Sequence, residues 1–175
     1  PIISYYDPTN TNLKVTACTN PTCTTSTNTI LDSTGNVGTN TSIAIGTNGN
    51  PIISYLDVTN TDLKVAACTD STCTTSTITT LDSTGDVGSY TSIAIGTNGN
   101  PIISYYDFTN FDLKVAACTD TTCTTSTNTT LDSTGAVGTY TSITIGTNGV
   151  PVISYYDGAN YRLKVASAWW MATGR

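Results

Sequence analysis

Apolar residues fall along this chain in short bursts set two apart. Thr41-Ser42-Ile43-Ala44-Ile45 and Leu63-Lys64-Val65-Ala66-Ala67-Cys68 alternate apolar with polar or small positions, and Pro51-Ile52-Ile53-Ser54-Tyr55-Leu56 carries two adjacent isoleucines. A fourth stretch, from Cys73 through Thr80 to Leu81, is mostly Thr and Ser. Period-two patterning in segments rich in Thr, Val, Ile and Tyr predicts β-strands, and no apolar period of 3.6 supports a helix. Successive side chains point to opposite faces of a strand, so the paired isoleucines predict a strand buried on both sides. The Thr-rich stretch suits an exposed edge. Turns are predicted at Thr47-Asn48-Gly49-Asn50, at Asp57-Val58-Thr59-Asn60 and at Thr69-Asp70-Ser71-Thr72, and a longer link over Asp82-Ser83-Thr84-Gly85-Asp86-Val87-Gly88. Asn-Gly is a strong hairpin signal because both residues tolerate positive φ.

This pattern returns every 50 residues. Pro1-Ile2-Ile3-Ser4-Tyr5 recurs at Pro51, at Pro101, and as Pro151-Val152-Ile153-Ser154-Tyr155, and Leu-Lys-Val recurs from Leu13, Leu63, Leu113 and Leu163. The 175 residues are three and a half periods, since 3 × 50 + 25 = 175. Four antiparallel strands per period, without helices, predict an all-β protein of β-propeller blades. A β-solenoid is the competing architecture, but 50 residues make a long coil and Asn-Gly hairpins suit antiparallel pairing better. In this frame the array reads as one unit: a partial blade over 1–32, blades over 41–82 and 91–132, a partial blade over 141–168, and an aromatic tail over 169–175. The first partial blade lacks its first strand and the last lacks its fourth. The chain opens at Pro1 with no Met and no apolar leader, which reads as a processed or excerpted mature segment.

The sequence Ser42-Ile43-Ala44-Ile45-Gly46, then Gly49-Asn50-Pro51-Ile52-Ile53-Ser54-Tyr55, then Leu63-Lys64-Val65-Ala66-Ala67-Cys68 resembles the tandem propeller-type repeats of about 50 residues found in bacterial extracellular proteins. It is similar also to recently amplified propellers and, at a distance, to sialidase-like repeats. The Asp-box of the latter is absent, and Asp82-Ser83-Thr84-Gly85 is a loose echo of it. The resemblance implies fold and an extracellular setting; no catalytic residue carries over.

Composition narrows the chemistry. Charged residues make up 10% of the chain, against roughly 25% in ordinary soluble proteins. There is no His, and every acid is Asp. That removes His-based acid–base relays, His-dependent nucleophiles and His-bearing zinc sites. A net charge of −6 with six scattered cations excludes nucleic acid as an expected partner. No apolar run reaches the ~20 residues of a membrane-spanning helix. No cofactor is expected.

Cys18 and Cys23, Cys68 and Cys73, and Cys118 and Cys123 are each five residues apart around a short turn. That spacing sets the two Cβ atoms opposite one another across a hairpin, within reach of a disulfide. A metal site would have only two thiolates and no His. Where the last repeat stops short, Ala168 replaces the first Cys of the pair, so no thiol is left over. Three disulfides place the chain in an oxidising setting, secreted or at a cell surface.

The recurrent polar pairs Asp7 and Asn10, Asp57 and Asn60, Asp107 and Asn110, and Asp157 and Asn160 follow the second strand of each unit. Asp and Asn there close turns on nearby backbone; the competing reading is a weak Ca²⁺ or polar-ligand site. The lysines at 14, 64, 114 and 164 are expected to pair with an Asp on a neighbouring strand, with Asp32, Asp82 and Asp132 as candidates. Tyr5, Tyr55, Tyr105 and Tyr155 are expected to pack in the core with satisfied hydroxyls. Tyr6, Tyr106 and Tyr156, with Leu56 as the exception, are expected to reach a rim, and Tyr90 and Tyr140 sit just before the first strand of a unit, where the first unit has Asn40.

An open sheet edge is a template for another chain, and repeat arrays ordinarily need polar caps. The expected activity is therefore non-enzymatic self-assembly of a structural module into a ring or filament. Its interface is expected at Pro1, Ile2 and Ile3 and at Trp169, Trp170 and Met171. A multivalent, lectin-like carbohydrate-binding propeller is the second reading, with glycans as partners.

Overall fold

The computed structural model describes residues 1–167, and it is built of strands and turns throughout. Sheet 1 holds β1 (Ile2–Asp7), β2 (Asn12–Cys18) and β3 (Ser26–Asp32). Sheet 2 holds β4 (Val37–Ile45), β5 (Pro51–Asp57), β6 (Asp62–Cys68) and β7 (Ser76–Asp82). Sheet 3 repeats it with β8 (Val87–Ile95), β9 (Pro101–Asp107), β10 (Asp112–Cys118) and β11 (Ser126–Asp132). Sheet 4 holds β12 (Val137–Ile145), β13 (Pro151–Asp157) and β14 (Arg162–Ser167). Within each sheet the strands lie in chain order and pair antiparallel. The expected all-β architecture of tandem 50-residue units is present, with three-stranded sheets at the two ends.

Two boundaries differ from the sequence expectation. The first strand of a complete sheet begins at Val37 or Val87, ahead of Thr41 or Thr91, because it carries on through a bulge. In β4 the register slips between Val37 and Thr39 and again between Thr39 and Ser42, and Gly38 and Asn40 both take positive φ there. Bulges add twist and re-aim the chain. The fourth strand begins at Ser76, opposite Cys68, so Cys73 lies in the turn and not in the strand. In the hairpin of Gly46 to Asn50 only Gly49 takes the left-handed conformation, at φ +83°. The Gly46 carbonyl accepts from the Gly49 N–H at 2.9 Å.

The sheets pack face to face in sequence order. Leu13 and Val15 of sheet 1 meet Val37, Ile53 and Tyr55 of sheet 2. Leu63 and Val65 meet Val87, Ile103 and Tyr105, and Leu113 and Val115 meet Val137, Ile153 and Tyr155. Neighbouring sheets approach most closely along their first strands and hardly at all along their fourth, so each pair is splayed like two leaves of a fan. Burial follows this stacking. β9, with a sheet on either side, is buried at every position, whereas β13 is buried at alternate positions. The paired isoleucines thus serve two interfaces at once.

One contact fixes how closely the sheets approach. A Cβ on Gly88 would sit 2.8 Å from the Leu63 Cα, and the Val87 N–H donates to the Thr61 carbonyl at 2.9 Å. The backbone of β8 therefore rides directly on the backbone of the preceding sheet, at a φ of +95° that favours glycine. Gly38 and Gly138 make the same approach to Leu13 and Leu113.

Candidate functional site

The densest polar cluster recurs at each boundary between sheets. Asp82 ends the last strand of sheet 2. Its Oδ2 accepts from the Tyr105 hydroxyl at 2.6 Å and from Lys114 Nζ at 2.5 Å, both on sheet 3. Lys114 also lies 3.8 Å from Asp107 and over the Tyr105 ring, 5.6 Å from its centroid. One boundary earlier, Asp32 accepts from Tyr55 at 2.7 Å and from Lys64 at 3.0 Å, and Lys64 is 3.4 Å from Asp57. At the last boundary Asp132 accepts from Tyr155 at 2.8 Å and from Lys164. The lysine series and the Asp32, Asp82, Asp132 series thus meet, between sheets. The tyrosine hydroxyls find the same carboxylates.

The electrostatics follow from burial and bonding. Burial pushes the Asp82 carboxyl up, but hydrogen bonds from Lys114, Tyr105 and the Thr84 N–H outweigh it and hold the group below the ordinary carboxylate value. Asp32 and Asp132 are lowered by the same balance. Burial, then the bond to the carboxylate, pushes the Tyr55 and Tyr105 phenols far above their ordinary value. Each cluster is closed, with its cation matched and its hydroxyl spent. It is a fastening between sheets.

The Asp and Asn pairs close turns. Asn60 Nδ2 donates to Asp57 Oδ2 at 2.9 Å and its N–H to Oδ1 at 3.1 Å; Asn110 and Asp107 repeat this at 2.9 and 3.0 Å. Asn10 Nδ2 reaches Asp7 at 3.0 Å, as Lys14 does at 3.3 Å. Asn160 and the Arg162 Nε converge on Asp157. No group of three or more His, Cys, Asp or Glu side chains arranged to hold a metal occurs among the described residues.

Cys18–Cys23, Cys68–Cys73 and Cys118–Cys123 are disulfide-bonded, with Cα atoms 4.8 to 4.9 Å apart. Cys23, Cys73 and Cys123 sit at positive φ, so the bridge clamps a strained turn. The second and third bridges pack into the contacts with the preceding sheet. Beside the third, the half-buried Asp120 is raised by burial but lowered further by bonds from Thr124 and Thr122, to about 2.

The end sheets lack these relations on one side. Leu13, Leu63, Leu113, Val15, Val65 and Val115 are fully buried, but their counterparts Leu163 and Val165 are 74% and 61% exposed. At the opposite end Ile3 is 49% exposed, whereas Ile53, Ile103 and Ile153 are fully buried. Among the described residues, Lys14 pairs with Asp7 alone. Pro1 and Ile2 line a cleft of about 470 Å³ with Ala17, Ile43 and Ile45. Trp169, Trp170 and Met171 lie outside the described residues.

A ridge of aromatic rings crosses sheets 3 and 4. Tyr90 and Tyr140 have centroids 4.6 Å apart, Tyr90 and Tyr106 are 6.2 Å apart, and Tyr140 and Tyr156 are 6.4 Å apart. Phe108 and Phe111, which the sequence reading did not single out, extend the ridge from Tyr106 at steps of 6.0 and 5.8 Å. The residue at the Phe108 position differs in every unit (Pro8, Val58, Phe108, Gly158), and Phe111 stands where the first two units have Thr11 and Thr61 and the last has Tyr161.

No family model matches the chain, and no curated protein matches it either.

Proposed function

We propose that this chain is a non-enzymatic structural module of β-propeller blades, working in an oxidising extracellular setting and joining head to tail with copies of itself. One observation carries the reading. The uncovered face of sheet 4, with Leu163 and Val165, repeats the face that Leu13 and Val15 present to Ile53 and Tyr55. The uncovered face of sheet 1, with Ile3 and Tyr5, repeats the other half of that same contact. Among the described residues, two surfaces that fit one another at three internal boundaries are thus exposed on the first and last sheets. An association of unlike surfaces builds a ring if it closes and a filament if it does not.

The propeller reading is supported by the splay of the sheets, narrow along their first strands and wide at their fourth. Three disulfides support the oxidising setting. The closed Asp-Tyr-Lys clusters support the non-enzymatic reading. End-to-end docking lacks one fastening, because sheet 4 has no fourth strand among the described residues to offer an aspartate to Tyr5 and Lys14. The joint is accordingly weaker than the internal boundaries and concentration-dependent.

Sedimentation velocity over a range of concentration tests this. The expected result is a series of assemblies that Leu163→Asp and Ile3→Asp each abolish while the circular dichroism spectrum is kept. A monomer at every concentration overturns the reading.

A further inference from the structure

The second and third repeats are near copies, so the places where they part carry information. Between residues 51–65 and 101–115 the differences are Leu56 against Tyr106, Val58 against Phe108, and Thr61 against Phe111. At the first of these places Tyr is the rule, with Tyr6 and Tyr156 in the end units, and Leu56 the exception; at the other two an aromatic ring stands where the second repeat has a smaller side chain, and all three fall on the same ridge. Sheet 2 builds the same strand, turn and strand with Leu, Val and Thr, so the fold does not call for aromatics here. Phe108, Phe111 and Tyr140 are nevertheless exposed. Isolated exposed apolar residues need no explanation, but a contiguous row of them marks a binding surface.

Strain points the same way. Tyr90 and Tyr140 sit at φ +55° and +54°. Bulky side chains disfavour that region, and Asn40, which holds the same place in the first unit at +54°, belongs to the residue types that tolerate it. Replacing Asn by Tyr there costs stability, and residues held against such a cost gather at ligand sites.

We infer that the ridge of Tyr140, Tyr90, Tyr106, Phe108 and Phe111 binds a neutral oligosaccharide. Phe108, Phe111 and Tyr140 offer open aromatic surfaces on which the C–H faces of pyranose rings stack, while the tyrosine hydroxyls exchange hydrogen bonds with the sugar. Tyr106, buried beneath the row, positions it. The charge of the ligand follows from the neighbours. Lys114, the one cation of sheet 3, is committed to Asp82 and Asp107, and Asp112 follows Phe111 directly, so sheet 3 offers an anion no free cation. Sulfated and acidic sugars are thereby disfavoured. Tyr90, Tyr106, Phe108 and Phe111 lie on sheet 3, away from both end sheets, and Tyr140 alone belongs to sheet 4.

The test is titration calorimetry of the full chain with cellohexaose, maltohexaose and mannohexaose. The comparison is the variant Tyr106→Leu/Phe108→Val/Phe111→Thr, which rebuilds the sequence that sheet 2 already folds. At least one neutral hexasaccharide is expected to bind one to one, and the triple variant is expected to bind it at least tenfold more weakly. Three results overturn the inference: no heat with any of the three sugars, affinity within twofold in the triple variant, or stronger binding of a sulfated hexasaccharide or a lysine-rich peptide.

Discussion

The Tyr105 hydroxyl donates to Asp82 Oδ2 at 2.6 Å across the boundary between two sheets. Its counterpart Tyr5 packs over Lys14, and among the described residues no aspartate bonds to its hydroxyl. The molecule thus contains its own control. Tyr105→Phe leaves a buried carboxylate one donor short and is expected to cost about 1–3 kcal/mol. Tyr5→Phe is expected to change stability by less than about 0.5 kcal/mol. Urea unfolding of both variants measures the contrast, and equal losses would exclude the inter-sheet bond as its cause.

Acid should loosen the boundaries. Asp32, Asp82 and Asp132 all have carboxyls held below the ordinary value of 3.8. A group with a lowered folded pKa contributes stability in full above its unfolded pKa, and that contribution fades as pH falls through the folded one. The urea midpoint is expected to hold steady from neutral pH to about 5 and to fall below about 4. The phenols behave in the opposite sense. Tyr55 and Tyr105 have raised folded values, so their contribution is intact below the ordinary value of 10.0 and is lost as pH climbs above it. Tyr155, bonded to Asp132, is raised from the same causes, so phenolate absorbance should show three tyrosines that resist titration until the protein unfolds. A midpoint unchanged down to pH 2 would contradict the acid half of this account.

Gly88→Ala forces a Cβ to within 2.8 Å of the Leu63 backbone at a φ of +95°. Neither side is a flexible side-chain end that could give way. The expected cost is about 3 kcal/mol or more, combining overpacking with backbone strain. Gly49→Ala meets no atom within 4 Å, so its cost is expected to be the conformational one alone, about 1–2 kcal/mol. Thermal melts of the pair separate the two effects; a Gly88→Ala protein as stable as Gly49→Ala would mean the sheets can slide apart without loss.

Much of this architecture was legible in the sequence, and the reasons are local. Alternation, Asn-Gly turns and the 50-residue period fixed strand number and order, because each strand's own residues state which faces are buried. The Cys pairs were readable for the same reason, being five residues apart. The Tyr105 and Asp82 bond was only half visible: the sequence offered the right aspartates as partners for lysine, but which sheet each belonged to depends on how the sheets stack. The early start of β4 was hidden because Gly38 looks like turn punctuation until the strand it crosses is in place. The aromatic ridge needed a third dimension too, since Tyr90, Tyr106, Phe108 and Phe111 lie on two strands and a turn.

Reduction should strike the bridges unequally. Closing so short a loop is worth about 2 kcal/mol by chain entropy. Cys68–Cys73 adds packing, being buried in the contact with sheet 1, whereas Cys18–Cys23 is only half-buried. Replacing both cysteines of the second bridge with Ala is expected to cost more than the same change in the first, by about 1–2 kcal/mol. Denaturant titration of the two double variants checks the order; the reverse order would mean the bridges act through loop closure alone.

The exposed leucine gives the strictest comparison. Leu113 and Leu163 occupy the same register, opposite Tyr106 and Tyr156 in their sheets. One is fully buried against Val137 and Ile153 of the next sheet, and the other is 74% exposed. Leu113→Asp buries a carboxylate with no partner and is expected to cost more than about 4 kcal/mol or to prevent folding. Leu163→Asp meets water and is expected to leave monomer stability within about 0.5 kcal/mol. The two substitutions are chemically identical, so the difference isolates what a neighbouring sheet contributes. Measured at rising protein concentration, the unmodified chain should gain apparent stability by mass action, because association favours the folded form. The Leu163→Asp chain should not. A concentration-independent midpoint for both would leave sheet 4 without a partner and remove the basis for end-to-end joining.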